Sequence, residues 1–191
     1  MRRQVLILAG LMAWAWQAHA VPPATGGPFA LTDQDGRAIT QATFAGKPFL
    51  LYFGYTSCPD ICPVDLARVQ KIADAIRVET GAVLIPVFVT VDPERDTPVR
   101  MKAYVRAFGK DMVGLTGTTA QIQAITDEYH VYFKKIPVAG GSYMMDHSTM
   151  LFLVGPHGTY LDHYGRKLPD DDVVKRVVTT LQLPTTTTEA P

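Results

Sequence analysis

The stretch "KPFLLYFGYTSCPDICPVDLARVQKIADAIRV", residues 47–78, decides the fold. It opens on "KPFLLYFGY", a continuous apolar run of the kind that forms a strand buried on both faces. "GYTSCPDICP" follows directly and holds the only two cysteines of the chain, Cys58 and Cys62. Pro63 suits a first helical turn, where its missing N–H costs nothing. Beyond it, Leu66, Val69, Ile72, Ala73 and Ile76 make one apolar face at helical spacing, and Gly81 ends it. The stretch therefore reads as strand, cysteine loop, helix. In an open α/β sheet, the carboxyl end of such a strand is where ligands bind.

Working outward, "FALTDQDGRAIT" sets Asp35-Gly36 between two short alternating runs, a hairpin signal. "AVLIPVFVTV" is a second buried strand, in which Pro86 points to a bulge or an edge position. Thr97 and Pro98 begin a helix that Gly109 stops, and "VGLTG" is a short strand. Thr118 and Gln121 form a capping box ahead of another helix. "VYFKKI" reads as extended, and "VAGGSYMMDHS" as a loop. "TMLFLV", a Gly155-Pro156-His157-Gly158 turn and "TYLDHYG" make a further hairpin, and "PDDDVVKRVVTTL" a last helix with acids in its first turn. Strands alternating with helices, then a hairpin and a helix, predict a mixed sheet with helices on both faces, an α/β sandwich.

The chain ends frame this domain. Arg2 and Arg3, an apolar stretch over 5–16 and the Ala18-His19-Ala20 triplet read as a secretory signal peptide over 1–20, with an uncleaved amino-terminal anchor as the competing reading. Residues 21–27 read as a linker, 28–183 as the folded domain and 184–191 as a flexible tail. The expected location is exported and periplasmic, either soluble or loosely membrane-associated. Losing Arg2 and Arg3 with the leader leaves 16 basic against 18 acidic residues, a net charge of −2. That balance carries no basic footprint for nucleic acid.

The cysteine pair has three readings: a structural bridge, a redox couple, or two metal ligands. A bridge closing so short a loop removes little chain entropy, which argues against a purely structural role. A helix start behind the pair favours thiolates, the form that attacks disulfides and binds metals. If the segment were helical, i, i+4 spacing would put both sulfurs on one face. A two-thiolate site for copper or zinc needs a third ligand. His19 leaves with the leader, and His130, His157 and His163 sit where solvent exposure or packing is the default. His147, just before a buried strand, can reach a neighbouring strand end, with Asp146 able to orient its ring. Met144 and Met145 are soft donors nearby whose expected role is packing, as is that of Tyr129 and Tyr132. Asp60 tunes the thiolates, recognises a partner or complements the helix dipole; helix capping and a local salt bridge account for Asp92, Arg95 and Asp96, with a docking role as the alternative.

Four blocks, "GYTSCPDICP", "VTVDPERDTP", "DEYHVYFKK" and "MDHSTMLFLVGPHGTY", resemble in order the signatures of the Sco/SenC family, copper-binding assembly factors of cytochrome c oxidase. The resemblance runs from about residue 29 to 181. Ser57 departs from it, standing where many members carry a histidine that is not a copper ligand. The resemblance implies a thioredoxin-like sandwich with an added amino-terminal β-hairpin and a hairpin insertion. It implies copper, as Cu(I) and Cu(II), held by Cys58, Cys62 and His147, with Cys58 and Cys62 also a redox pair. It implies delivery to the copper-site subunit of cytochrome c oxidase, with a periplasmic thiol reductant or another copper chaperone as further partners. The alternative function is a thiol–disulfide oxidoreductase that keeps oxidase cysteines reduced or senses redox state.

Overall fold

The computed structural model describes residues 26–185. The leader, almost all of the linker and most of the tail lie outside these residues. A hairpin, β1 (Ala30–Asp33) and β2 (Ala38–Thr40), opens the fold. Gly36 at its turn has φ +80°, a conformation that favours glycine. A 3-10 turn, Gln41–Phe44, leads to β3 (Phe49–Gly54), whose six residues are all buried. Then come α1 (Ile61–Thr80), β4 (Ile85–Thr90), α2 (Pro98–Val105), β5 (Val113–Thr116) and α3 (Thr119–Glu128). The chain closes with β6 (Phe133–Pro137), β7 (Tyr143–His147), β8 (Leu151–Val154), β9 (Tyr160–Tyr164) and α4 (Asp170–Leu181).

Seven strands form one sheet in the order β2-β1-β5-β4-β3-β8-β9. β3, β4 and β5 run parallel, and the outer strands pair antiparallel. The two crossovers β3-α1-β4 and β4-α2-β5 step the same way along the sheet, so right-handed connections put α1 and α2 on one face. The packing agrees. Tyr52 and Phe88 are register partners; a Cβ on Gly54 would meet Cys62 of α1, and Phe88 packs at a tilt against Tyr104 of α2. α4 joins this layer against α1 through Arg68 and Asp170, 2.6 Å apart. α3 covers the opposite face, where Tyr129 at its end packs on Phe53 and Phe152. The expected two-faced sandwich is present, with three helices on one side and one on the other.

Two local expectations change. Pro86 sits in a central strand, not at an edge or a bulge. Ile85 N donates to Pro48 O of the β3 side, so the next position points toward β5, which begins its pairing only at Val87. The proline occupies the one place in β4 where no ladder donor is needed. Residues 138–148, expected as a loop, are half strand: β7 pairs antiparallel with β6, from Pro137↔Tyr143 to Phe133↔His147. Met144 is exposed and Met145 buried, so the alternation of the strand is real but hidden by two neighbouring methionines. The Thr118–Gln121 capping box, the Thr97 N-cap with Pro98 behind it, and the α4 acids stand as read.

Candidate metal centre

β3 delivers the chain to the site and α1 leaves it. Between them, Gly54 allows the closest approach: a Cβ there would lie 3.0 Å from both Cys62 Sγ and Tyr52 Cε1 and 3.1 Å from Phe88 Cε2. Cys58 lies before the helix rather than in it, since α1 starts at Ile61. The i, i+4 helical face therefore does not exist, and the sulfurs meet differently. Asp60 precedes the helix without a capping side-chain bond, so the first amides of α1 turn to another acceptor. Cys62 N donates to Cys58 Sγ across 3.4 Å. The Cys58 sulfur thus does for the helix start what a capping oxygen would do.

The two thiols are unlike. Cys58 is half-buried and Cys62 fully buried, and both are free. Burial pushes the Cys58 thiol up, but the backbone N–H groups of Cys62, Asp60 and Ile61 outweigh it and bring its pKa below the ordinary value. Burial pushes Cys62 up to about 12. One sulfur is shifted toward the thiolate; the other is held as thiol.

His147, the last residue of β7, reaches Cys62: Nε2 stands 3.5 Å from Sγ. Its Nδ1 is 2.9 Å from the Ser148 carbonyl. A carbonyl only accepts, so Nδ1 carries the proton and Nε2 presents its lone pair to the sulfur. Burial lowers the His147 pKa, against the Ser148 hydrogen bond and the charges of Asp146 and Asp65. Cys62 and His147 therefore face each other as neutral thiol and neutral imidazole. The rings of Tyr52 and Tyr55 stand edge-on to the imidazole at 6.3 and 5.9 Å.

Asp146 does not orient the ring; it is exposed, on the opposite side of β7, and Ser148 does that work. His130, His157 and His163 are exposed, and His19 lies outside the described residues. Met145 and Tyr129 belong to the core, as expected, whereas Tyr132 is exposed. Among the described residues, no three His, Cys, Asp or Glu side chains are gathered into a ready-made metal cluster. Cys62 and His147 are in contact, and Cys58 is joined to Cys62 through its amide.

Residues beyond the three candidate ligands build the frame. Asp96, fully buried, accepts from Thr56 N (2.9 Å), Thr56 Oγ1 (2.5 Å) and Thr90 Oγ1 (2.6 Å), tying the cysteine loop to the end of β4. Arg100 donates to Thr56 Oγ1 and Ser57 Oγ on the same loop. Asp92 does form the local pair with Arg95, but Thr97, not an aspartate, caps α2. The burial of Asp92 and Asp96 comes from strands distant in sequence, which the capping and salt-bridge reading of "DPERD" does not carry.

A parallel strand that runs into a Cys-x-x-x-Cys loop and helix, with an antiparallel strand pair completing the sheet, defines a thioredoxin-like protein. The SCO1/SenC family profile matches residues 17–182, and the chain belongs to that family. It is 38% identical over 155 residues to Protein SCO1 homolog 1, mitochondrial, of Arabidopsis thaliana, covering 81% of this chain and 46% of that protein. It is 36% identical over 165 residues to the human Protein SCO1 homolog, mitochondrial, covering 85% and 55%. The chain thus spans about half the length of these curated relatives. Among solved structures, Arabidopsis thaliana ScoI with copper bound superposes with a TM-score of 0.80 at 37% identity, over 82% of this chain and 98% of that one. Bradyrhizobium japonicum ScoI with copper bound gives 0.72 at 38% identity, over 82% and 99%. No helix of the described residues is long and apolar enough to cross a membrane.

Proposed function

We propose that this protein carries one copper ion on Cys58, Cys62 and His147 and delivers it to the copper-site subunit of cytochrome c oxidase, in the compartment to which residues 1–20 export it. The observation that carries this reading is the Nε2 lone pair of His147 set 3.5 Å from the buried Cys62 sulfur. Disulfide exchange needs no imidazole there, whereas a two-thiolate metal site wants a third ligand and the imidazole supplies one. The donor set fits copper. Two thiolates suit Cu(I), and the neutral imidazole extends the site to Cu(II). Copper-bound relatives of the same family support the choice of metal. Binding displaces the Cys62 proton, and Cys58, already inclined to the thiolate, is the more accessible sulfur for capture and for ligand exchange with an acceptor. Oxidation of the pair to a disulfide removes both thiolates, so thiol redox state gates loading.

The asymmetry of the thiols supports a second reading, thiol–disulfide exchange. The Cys58 thiolate attacks a partner disulfide, releasing one partner thiol and forming a mixed disulfide. Cys62 then resolves it, releasing the second partner thiol and leaving a Cys58–Cys62 disulfide for an external thiol reductant to regenerate. The two readings separate at His147. In reduced protein titrated with Cu(II), His147→Ala is expected to weaken or shift the sulfur-to-copper charge-transfer absorption. In cells it is expected to impair oxidase maturation under copper limitation while sparing thiol reductase activity. Full maturation by the variant at low copper would move the function to the oxidoreductase reading.

A further inference from the structure

His147 lies on the two-stranded β6–β7 sheet, which is not hydrogen-bonded into the seven-stranded sheet. The main ladder therefore does not set its distance from the cysteines. Tyr143, Met145 and His147 share the inward side of β7 by strand alternation. Tyr143 is where the loop after β4 takes hold of this hairpin. Arg95 Nη1 donates to the Tyr143 carbonyl across 2.9 Å, and its guanidinium lies over the Tyr143 ring at 3.8 Å. The Tyr143 hydroxyl donates to Asp92 Oδ1 at 2.8 Å, and Arg95 Nε pairs with Asp92 Oδ2. Asp92 is 1% exposed, so both its oxygens depend on these two partners. The other end of the loop rests on the cysteine side, where Val91 N donates to Gly54 O at 2.7 Å. Arg95 also lies 5.8 Å from the centre of the Tyr55 ring, which stands edge-on to the His147 imidazole.

We infer that Asp92, Arg95 and Tyr143 form a clamp that docks the β6–β7 hairpin on the loop after β4 and so positions the His147 imidazole over Cys62. These are positioning residues; none of them touches the sulfurs or the imidazole. The triangle closes on itself: a carboxylate with two partners, a guanidinium bonded to a backbone carbonyl, and a ring stacked beneath it. A lysine at 95 would keep a cation near the ring but could not bond Asp92 and the carbonyl in the same fixed fork. The link to metal binding rests on the reading of His147 as a ligand, but the docking itself can be measured without metal.

The test uses reduced, metal-free protein and Arg95→Met, with Arg95→Lys as the conservative variant. Ring-nitrogen NMR of His147 is expected to report a single Nδ1–H tautomer in the parent and an averaged one in R95M. Amide exchange over residues 143–148 is expected to rise about tenfold in R95M while that of α1 is unchanged, the mark of local rather than global opening. R95K is expected to recover part of both signals. With Cu(II) added, release from R95M is expected to be about tenfold faster, with Cu(I) retention little changed because the two thiolates suffice for it. Unchanged ring-nitrogen shifts and unchanged hairpin exchange in R95M would overturn the clamp. If R95M does not fold, Tyr143→Phe carries the test: faster exchange at 143–148 supports the clamp and parent-like exchange overturns it. If His147→Ala leaves Cu(II) binding intact, the ligand reading fails, and the metal-free measurements still decide the clamp.

Discussion

Gly54 and the two cysteines show how single positions set the chemistry. A side chain at 54 would press on Cys62 Sγ, Tyr52 and Phe88 together, so glycine is what lets the buried sulfur settle against the end of β3. That burial has a consequence for stability. Folding raises the Cys62 pKa to about 12, whereas an unfolded thiol titrates near about 8.5. In the folded state the thiol keeps a proton that the unfolded chain gives up. Its contribution to stability is therefore complete below the unfolded value and is lost as pH rises from there toward 12. Cys58, with its lowered pKa, acts in the opposite sense: its contribution is present above the unfolded value and is lost as pH falls through the folded one. Urea unfolding of reduced, metal-free protein is expected to show the Cys62 decline between about pH 8.5 and 10. The decline is expected to vanish in Cys62→Ala.

The elements around the site are joined by polar side chains as well as by the sheet. Asp96, at the turn into α2, accepts from the backbone and hydroxyl of Thr56 and from Thr90, and its own carbonyl accepts from Thr116 Oγ1. It holds the cysteine loop to the carboxyl ends of β4 and β5. Asp96→Ala strips the partners from several buried donors at once and is expected to cost about 3 kcal/mol. The check is a lower urea midpoint at unchanged slope. The β6–β7 hairpin is the complementary case. It forms its own ladder, and it is seated on the body of the protein by the Arg95–Tyr143 contact, the Lys135–Glu94 ion pair and the buried Met145.

Across the whole molecule, α1 carries Cys62 into the site at its first turn, and α4 backs α1 away from the site. Arg68 of α1, 12% exposed, pairs with Asp170 and donates to the carbonyls of Gly165 and Leu168, so it fastens the β9–α4 connection onto α1. Asp170 keeps a second partner in Lys71 at 3.0 Å. Arg68→Ala is expected to destabilise the fold by about 2 kcal/mol, because the partly buried carbonyls lose their donor while Asp170 does not become solitary. For a domain of this size that corresponds to a fall in Tm of about 4–8 °C. Calorimetry checks it, and the Cu(II) charge-transfer band is expected to be that of the parent, since the site is anchored elsewhere.

Much of this was legible in the chain itself. The apolar run of β3, the α1 face, the Asp35-Gly36 turn and the Thr118–Gln121 box are local patterns, and local patterns are read from neighbouring residues. Cys58, Cys62 and His147 stood out because thiols and a histidine before a buried strand are scarce and chemically distinct. The strand character of residues 143–147 did not show, since two adjacent methionines mask a period of two. Nor did the start of α1 at Ile61, which takes Cys62 into the helix and leaves Cys58 outside it, because Asp60 and Ile61 carry no pattern that fixes the first turn. The unequal pKa values of the cysteines, the proton on His147 Nδ1 and the Asp92–Arg95–Tyr143 triangle belong to the tertiary structure alone. Each depends on burial, or on an amide, carbonyl or ring brought close by folding. The chain's residue types set which atoms can bind or exchange; packing decides which of them meet, and in which protonation state.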